Sequence, residues 1–421
     1  MSEEKLVPKL RFVSFSNEWE SYKLCDILTF YSTNSFSREK LNYESGNVKN
    51  IHYGDIHTKF PTILSISGNK DVPFINNDID LSKYKDDQYL QEGDLIIADA
   101  SEDYSDIGKA IEVKDINDEK VLAGLHTILA RDEKNITING FKGYLFLTED
   151  LKTDIKRIAN GISVLGISKN NLSKLTVNIP NKNEQQKIVD FISSIDKKIE
   201  LLEDKHTYYQ DFKKYLMQQI FAQKLRFNFD EEWVEIKLRD IGTFYRGHSY
   251  NSGNVVDNGL LVLRSNNIQD NALDFSDSEL QFVNKDCKKE LELQKNDIVI
   301  CMSNGTRSLV GKSAQYLGNY NKKLTVGAFC SIFRTNNILA KYLFQTELYR
   351  KNLYLILAGT NINNLKNSDL EKFKFKIPNN KTEIKKIHDL FSSVDMNIEN
   401  IKNQLNEIKL FKKSLLQQMF V

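Results

Sequence analysis

The side chains best suited to chemistry lie in short polar loops, and they fall into two sets. The early set begins with "NIHYGDIHTKF" (Asn50–Phe60), which offers His52, Tyr53, His57 and Lys59. Ser101 and Tyr104 follow inside "GDLIIADASEDYSDIGKA" (Gly93–Ala110). The late set begins with "YRGHSYNSGN" (Tyr245–Asn254), which offers Arg246, His248 and Tyr250. Next, "LRSNNIQDN" (Leu263–Asn271) offers Arg264, Asn266, Asn267 and Gln269. Last, "SNGTRSLVGK" (Ser303–Lys312) offers Asn304, Thr306, Arg307, Ser308 and Lys312. Arginine pairs with guanine edges, asparagine and glutamine pair with adenine, and hydroxyls with lysine hold phosphates. These residues are therefore candidate DNA contacts. Asn, Gly and Ser also suit ordinary turns, so no single position decides the matter.

Catalytic chemistry is poorly represented. The sequence has no GxxxxGK(S/T) loop, no GxGxxG, no GxSxG and no HExxH. The prolines (Pro8, Pro61, Pro73, Pro180 and Pro378) are never adjacent, which excludes the Asn/Asp-Pro-Pro-aromatic loop of amino-methyltransferases. Asp99 with "EVK" at Glu112–Lys114 loosely suggests a metal-dependent nuclease, but the corresponding "QYL" (Gln315–Leu317) has neither acid nor lysine. Cys25, Cys287, Cys301 and Cys330 form no CxxC pair, and the six histidines supply no zinc spacing, so no metal site is expected. Reduced cysteines suggest a cytoplasmic protein. "MSEEKLVPKLRF" shows no apolar leader, and no apolar run is long enough for a membrane span. The net charge of +1 gives no basic excess, so any nucleic-acid binding must draw on local patches or partner subunits.

The elements that position these loops are written twice. "EWESYKLCDILTFY" (Glu18–Tyr31) returns as "EWVEIKLRDIGTFY" (Glu232–Tyr245) with nine of fourteen positions identical. "KLRF" occurs at Lys9 and at Lys224. "GDLIIADASEDYSDIGKA" answers "NDIVICMSNGTRSLVGKSA" (Asn296–Ala314), and "LSKLTVNIPN" (Leu172–Asn181) answers "LEKFKFKIPN" (Leu370–Asn379). "IVDFISSIDKKIE" (Ile188–Glu200) answers "IHDLFSSVDMNIE" (Ile387–Glu399). The order is the same in both halves, which implies a tandem duplication.

Each copy starts with short apolar runs bounded by turns, which read as strands. After "IPN" the period changes. Apolar residues fall at Ile188, Ile192, Ile195, Ile199 and Leu202, and again at Ile387, Phe391, Val394, Ile398, Ile401, Leu405 and Ile408. Steps of four and three keep a seam on one side of a long helix, to be buried against another helix. Asn183 and Thr382, each before a glutamate, are the expected N-caps. The second helix ends "LLQQMFV", and the "KLRF" that should follow lies near the N-terminus, so the repeat closes on itself. The expected fold is α+β. Two similar globular domains (1–180 and 224–379) are joined by two long antiparallel coiled-coil helices (181–223 and 380–421), with pseudo-two-fold duplication and circular organisation.

The ordered, duplicated set of motifs resembles the specificity subunits of type I restriction–modification systems. The resemblance rests on the "GDLIIADAS…GKA" and "NDIVICMSNGTRSLVGKSA" segments, the lead-in to "IP", the helix starts, the "FKKSLLQQMF" type of helix end and the cyclic order. It implies two target recognition domains, each reading half of a bipartite double-stranded DNA site, with the helices setting the spacer. It implies a non-catalytic chain that binds no cofactor. Two modification subunits would bring S-adenosylmethionine for DNA methylation, and two restriction subunits would bring ATP and Mg2+ chemistry. The base contacts of that family lie outside its shared motifs, so the DNA candidates above rest on residue type alone. A structural coiled-coil adaptor with protein- or glycan-binding tips is the alternative, and it would show no salt-dependent DNA binding.

Overall fold

The computed structural model describes residues 6–359 and 363–421. Residues 1–5, where the lack of an apolar leader was partly read, lie outside the described residues. Among the described residues, no helix is long and apolar enough to cross a membrane. The chain divides into two compact units, 1–203 with 403–421, and 204–402. The two long helices, Lys182–Phe221 and Lys381–Met419, each give one half to each unit.

In the first unit a five-stranded sheet runs in the order Thr29–Tyr31, Thr127–Arg131, Leu95–Ala98, Ala110–Lys114, Ile63–Ser65. A second sheet pairs Val121–Ala123 in parallel with Lys49–Ile51 and continues to Phe74–Ile75 and Leu41–Asn42. The second unit repeats the plan. One sheet runs Gly242–Arg246, Cys330–Thr335, Ile298–Cys301, Ser313–Gln315, and Leu324–Val326 pairs in parallel with Leu260–Leu263 in the other. The repeated opening phrase is a framework piece in each unit. It supplies the strand Glu20–Lys23 or Val234–Lys237, which pairs with Thr176–Ile179 or Lys374–Ile377 just ahead of a long helix.

The central strands show why "DLIIA" and "DIVIC" carry no polar residue after the aspartate. Successive side chains of a strand face opposite sides. Leu95 and Ile97 enter one core while Ile96 and Ala98 enter another. Ile298 and Ile300 likewise part from Val299 and Cys301. Both faces are covered, so the strand must be apolar throughout.

The seam residues lie at or near the core. Ile188, Ile192, Ile195, Leu202, Ile387, Phe391, Val394, Ile401 and Leu405 are buried, and Ile199, Ile398 and Ile408 are partly so. In the first unit Ile188, Ile192 and Ile195 share a core with Leu415, Leu416 and Met419, the far end of the other helix. In the second unit Ile387, Phe391 and Val394 share one with Leu216, Met217 and Ile220. A start packs on an end in both units, which is antiparallel pairing. Full burial of each such side chain contributes roughly 1.5–3 kcal/mol. The helix caps differ from expectation. Asn181 accepts from Glu184 N at 3.1 Å, and Asn380 accepts from Thr382 N and Glu383 N at 2.8 and 3.2 Å. The helices start at Lys182 and Lys381, which puts Asn183 and Thr382 inside the first turn.

The circular organisation reduces to one hydrogen bond made twice. Leu225 N donates to Gln219 O at 3.1 Å, where the chain turns out of the first long helix through Gln223 at φ +56°. The equivalent bond, Leu10 N to Gln418 O at 2.8 Å, joins the N-terminal segment to the end of the second helix. The two places, one within the chain and one between residues far apart in sequence, share the same hydrogen-bond geometry.

Candidate nucleic-acid interface

In each unit the same four stretches converge beside the parallel strand pair. In the first unit Asn34 N donates to Ala123 O at 2.9 Å, Gly124 N to Ile51 O at 2.8 Å, and Asp99 N to His126 O at 3.1 Å. In the second, His248 N donates to Val326 O at 2.7 Å, Gly327 N to Leu263 O at 2.8 Å, and Met302 N to Phe329 O at 2.8 Å. Asn34 and His248, Asp99 and Met302, and His126 and Phe329 therefore hold matching places on one backbone scaffold. Their side chains have nothing in common.

Around this scaffold the first unit builds an aromatic and imidazole cluster. His52 ends the strand Lys49–Ile51 and caps the helix Tyr53–Thr58, its Nδ1 accepting from Gly54 N at 3.2 Å. The Tyr53 ring lies 4.8 Å from His52, 6.0 Å from His57 and 5.3 Å from His126. His126 Nδ1 stands 3.4 Å from the Asp99 carboxylate. Burial holds the His52 imidazole below its usual pKa, with help from Arg38. Burial also pushes the Asp99 carboxyl up, with His126 opposing. Lys59 donates to Tyr43 Oη at 3.0 Å and lies over its ring. Tyr104 is exposed, with Lys156 Nζ 5.6 Å from its ring.

The second unit builds a wider polar rim. Arg246 is exposed at the end of its strand, opposite Ser331. Tyr250 is half-buried, its phenol pushed up by burial with the Arg264 charge opposing. Arg264 donates through Nη2 to Glu279 O at 3.2 Å, and the Asn266 amide bonds the Glu279 carboxylate. Asn304 reaches Ser265 Oγ at 3.4 Å and accepts from Thr306 N at 2.9 Å. Thr306, Arg307 and Ser308 are exposed on the following turn, and Lys312 is half-buried.

Two candidates are occupied by the fold itself. Asn267 is fully buried. Its Nδ2 donates to Asp274 O and Glu279 O at 3.1 and 3.2 Å, and its Oδ1 accepts from Arg264 N at 2.8 Å. Ser101 is buried, its hydroxyl bonding only the Asp103 backbone at 2.8 and 3.0 Å. Neither has a free group to offer a ligand in this conformation. Glu112, from the nuclease-like pattern, is also committed. It takes Lys142 Nζ at 2.9 Å and the N–H groups of Gly140 and Gly143 at 2.7 Å, inside the core. Among the described residues no group of three or more His, Cys, Asp or Glu side chains could hold a metal.

The buried polar atoms without a partner among the described residues are Asn50 Nδ2, His57 Nδ1, His248 Nε2 and Arg264 Nε. All four belong to the two rims. His57 Nε2 faces the Ala100 carbonyl at 3.0 Å, which anchors the ring on one side while Nδ1 meets no partner among the described residues. An orphaned buried polar group costs about 1–3 kcal/mol and calls for an explanation such as a missing ligand. Sequence reading singled out His57, His248 and Arg264 but missed Asn34, Asn50, His126 and Phe329. Aligning the two glycines of "AGLHT" and "VGAFC" would have exposed the last two, since each lies two residues past its glycine.

The model of the type I restriction modification DNA specificity domain matches residues 16–207 and again 230–410. Over 198 residues the chain is 30% identical to the EcoKI specificity subunit of Escherichia coli K12 and 29% identical to the StySPI specificity subunit of Salmonella potsdam. Each alignment spans 44% of this chain but only 42% of the relative. The MjaVIII specificity subunit of Methanocaldococcus jannaschii is 21% identical over 69% of this chain and 71% of its own. The crystal structure of a type I restriction-modification S subunit from M. genitalium superposes with a TM-score of 0.56 at 14% identity, covering 99% of both chains. A chain from a study of complex assembly and conformational transition of the type I R-M system gives 0.53 at 15% identity, covering 94% of this chain and 96% of its own. At these identities the structural matches speak for the fold alone.

Proposed function

Because the chain belongs to the type I restriction modification DNA specificity domain family, we propose that it is the non-catalytic, sequence-reading subunit of such a system. Each unit reads one half of a bipartite double-stranded DNA site through its rim, inserted into the major groove. The observation that carries this reading is the shared backbone scaffold with unshared rim side chains and unpaired buried polar atoms in both copies. A duplicated fold that kept its framework and changed only its rims suits two readers of different sequences. In the first unit the contacts come from Tyr53, His57, Lys59 and Tyr104. In the second they come from Arg246, His248, Tyr250, Arg264, Asn266, Asn304, Thr306, Arg307, Ser308 and Lys312.

The two long helices set the spacer between half-sites and dock the modification subunits. Leu201, Tyr208 and Tyr215 recur every seven residues along the first helix, and each is more than half exposed. Met396 and Leu410 stand fourteen apart on the second, likewise exposed. Seven-residue spacing keeps an apolar stripe on one side of a helix, suited to a further helix. Two modification subunits carry S-adenosylmethionine, two restriction subunits carry ATP and Mg2+, and this chain binds none of these itself. The place of action is the cytoplasm.

The test is genome-wide adenine methylation in cells that express this chain with its cognate modification subunit, against cells that lack it. The expected result is a new motif of two short specified halves around a fixed gap. Exchanging residues 228–375 for those of a relative should then change one half only. With an active modification subunit and no new motif, the reading fails and the coiled-coil adaptor takes its place.

A further inference from the structure

One position in each rim lets the ligand chemistry be named, granted the functional reading above. The turn between Leu324–Val326 and Cys330–Thr335 and the turn between Val121–Ala123 and Thr127–Arg131 are the same turn. Each opens on a glycine tied to the neighbouring parallel strand, and two residues later each offers a carbonyl to the end of the central strand. The residue that offers it is Phe329 in one unit and His126 in the other.

Phe329 is 71% exposed and makes no ring contact among the described residues. Its backbone is nevertheless fixed, since its carbonyl accepts from both Met302 N at 2.8 Å and Ser303 N at 3.3 Å. Arg246 lies exposed on the next strand, paired with Ser331, and Gly247 N bonds the Cys330 carbonyl at 3.0 Å. The unpaired His248 Nε2 and Arg264 Nε belong to the same rim. An aromatic ring held out from a fixed turn, among arginine and amide groups, is placed to meet an apolar patch inside a polar ligand. The major groove of DNA has one such patch, the methyl group of thymine. His126 stands at the matching place with its imidazole held between Asp99 and Tyr53. It offers a hydrogen bond where Phe329 offers a hydrocarbon surface.

We infer that Phe329 is a sequence-determining residue that packs on the methyl group of a thymine in the half-site read by the second unit, and that His126 meets a hydrogen-bonding base edge from the same place in the first.

The experiment uses the whole chain in complex with its modification subunit, once the methylated motif is known. Duplexes carry deoxyuridine in place of one thymidine at a time, which removes the methyl group and nothing else. Wild-type complex should bind about 4- to 10-fold more weakly at one thymine of one half-site, as expected for a lost apolar contact of that size. Phe329→Ala should bind both duplexes equally, and Phe329→Leu should keep part of the difference. In methylation profiles Phe329→Ala should relax one position of one half, and His126→Ala should relax a position of the opposite half. A uniform loss with Phe329→Ala on every sequence, uridine sensitivity kept, would make the ring a wedge and overturn the inference. So would an unchanged motif. If the wild-type chain directs no methylation, it is the functional reading that falls.

Discussion

The two units share several buried polar anchors and differ in their rims. In the first, Arg11 donates to both oxygens of Glu184 at 2.7 Å and the Trp19 indole lies 3.4 Å from the same carboxylate. In the second, Arg226 donates to Glu383 at 3.0 and 2.9 Å and Trp233 at 3.1 Å. Asp94 is gripped by Arg131, which lies over Tyr31, and Asp297 is gripped by Arg334, which lies over Tyr245. Tyr144 and Lys412 meet on Asp196, and Tyr342 and Lys213 meet on Asp395. Elsewhere the units differ: among the described residues the edge strand Ile63–Ser65 belongs to the first unit only, and the hairpin Ile268–Gln269 with Ala272–Leu273 to the second only. A buried ion pair cannot lose one partner cheaply, so both members persist together. A rim loop meets no such penalty and is free to diverge.

The strongest way to break this symmetry is to remove one acid from the shared buried pair. Asp94→Ala strands Arg131, whose side chain is 10% exposed, and should cost about 3–5 kcal/mol. Asp297→Ala should cost less, because Arg334 is 23% exposed and water can take over part of its solvation. Hydrogen exchange followed by mass spectrometry, read peptide by peptide, reports each unit separately. Equal loss of protection in the two variants would show that solvent access to the arginine does not govern the cost.

A smaller effect sharpens a framework position where the copies differ. Gly93 has φ +83° and Asn296 has φ +73°, both in the left-handed region. Asparagine tolerates that conformation better than other side chains, so the same turn forms from a different residue. Asn296→Ala should cost about 1–2 kcal/mol. Gly93→Ala should cost more, because a β-carbon there would also overlap the Asn139 side-chain amide. Thermal unfolding of the two variants checks the order.

Much of this architecture was legible because it obeys simple periods. The seam from Ile188 to Leu202 and its partner from Ile387 to Ile408 follow the heptad spacing, and the duplication was visible as repeated phrases. The helix caps were misplaced by two residues, since Asn181, Asn183 and Asn380, Thr382 are all good cap types and only the backbone selects among them. The rims were legible as regions but not as residues. Asn267 and Asn266 look alike in sequence, yet one is spent on Asp274 and Glu279 and the other stays partly open. That difference arises from a hairpin whose pairing no local pattern announces. His126 and Phe329 escaped because an isolated exposed residue has no period to betray it.

The last contrast is in how the rims titrate, and it concerns His52 and His248. Both are buried, and burial holds both imidazoles below their usual pKa, with the Arg38 charge adding to the effect on His52 and the Lys285 charge on His248, where the Lys285 backbone opposes it. Asp55 opposes it at His52, where His126 adds to it. A folded pKa below the unfolded value of about 6.5 means that the unfolded chain binds more protons in that window. Stability is therefore complete above pH about 6.5 and falls as the pH drops through that value towards the depressed folded pKa. In the first unit the place matching His248 is held by Asn34, which does not titrate and which donates to Asn50 Oδ1 at 2.7 Å. His248→Asn should thus remove the acid-sensitive loss from the second unit while His52 keeps it in the first. Hydrogen exchange at pH 7.5 and 5.5, corrected for the intrinsic rate, measures this unit by unit. If the second unit of the variant still loosens on acidification as much as wild type, His248 is not the group that binds the proton.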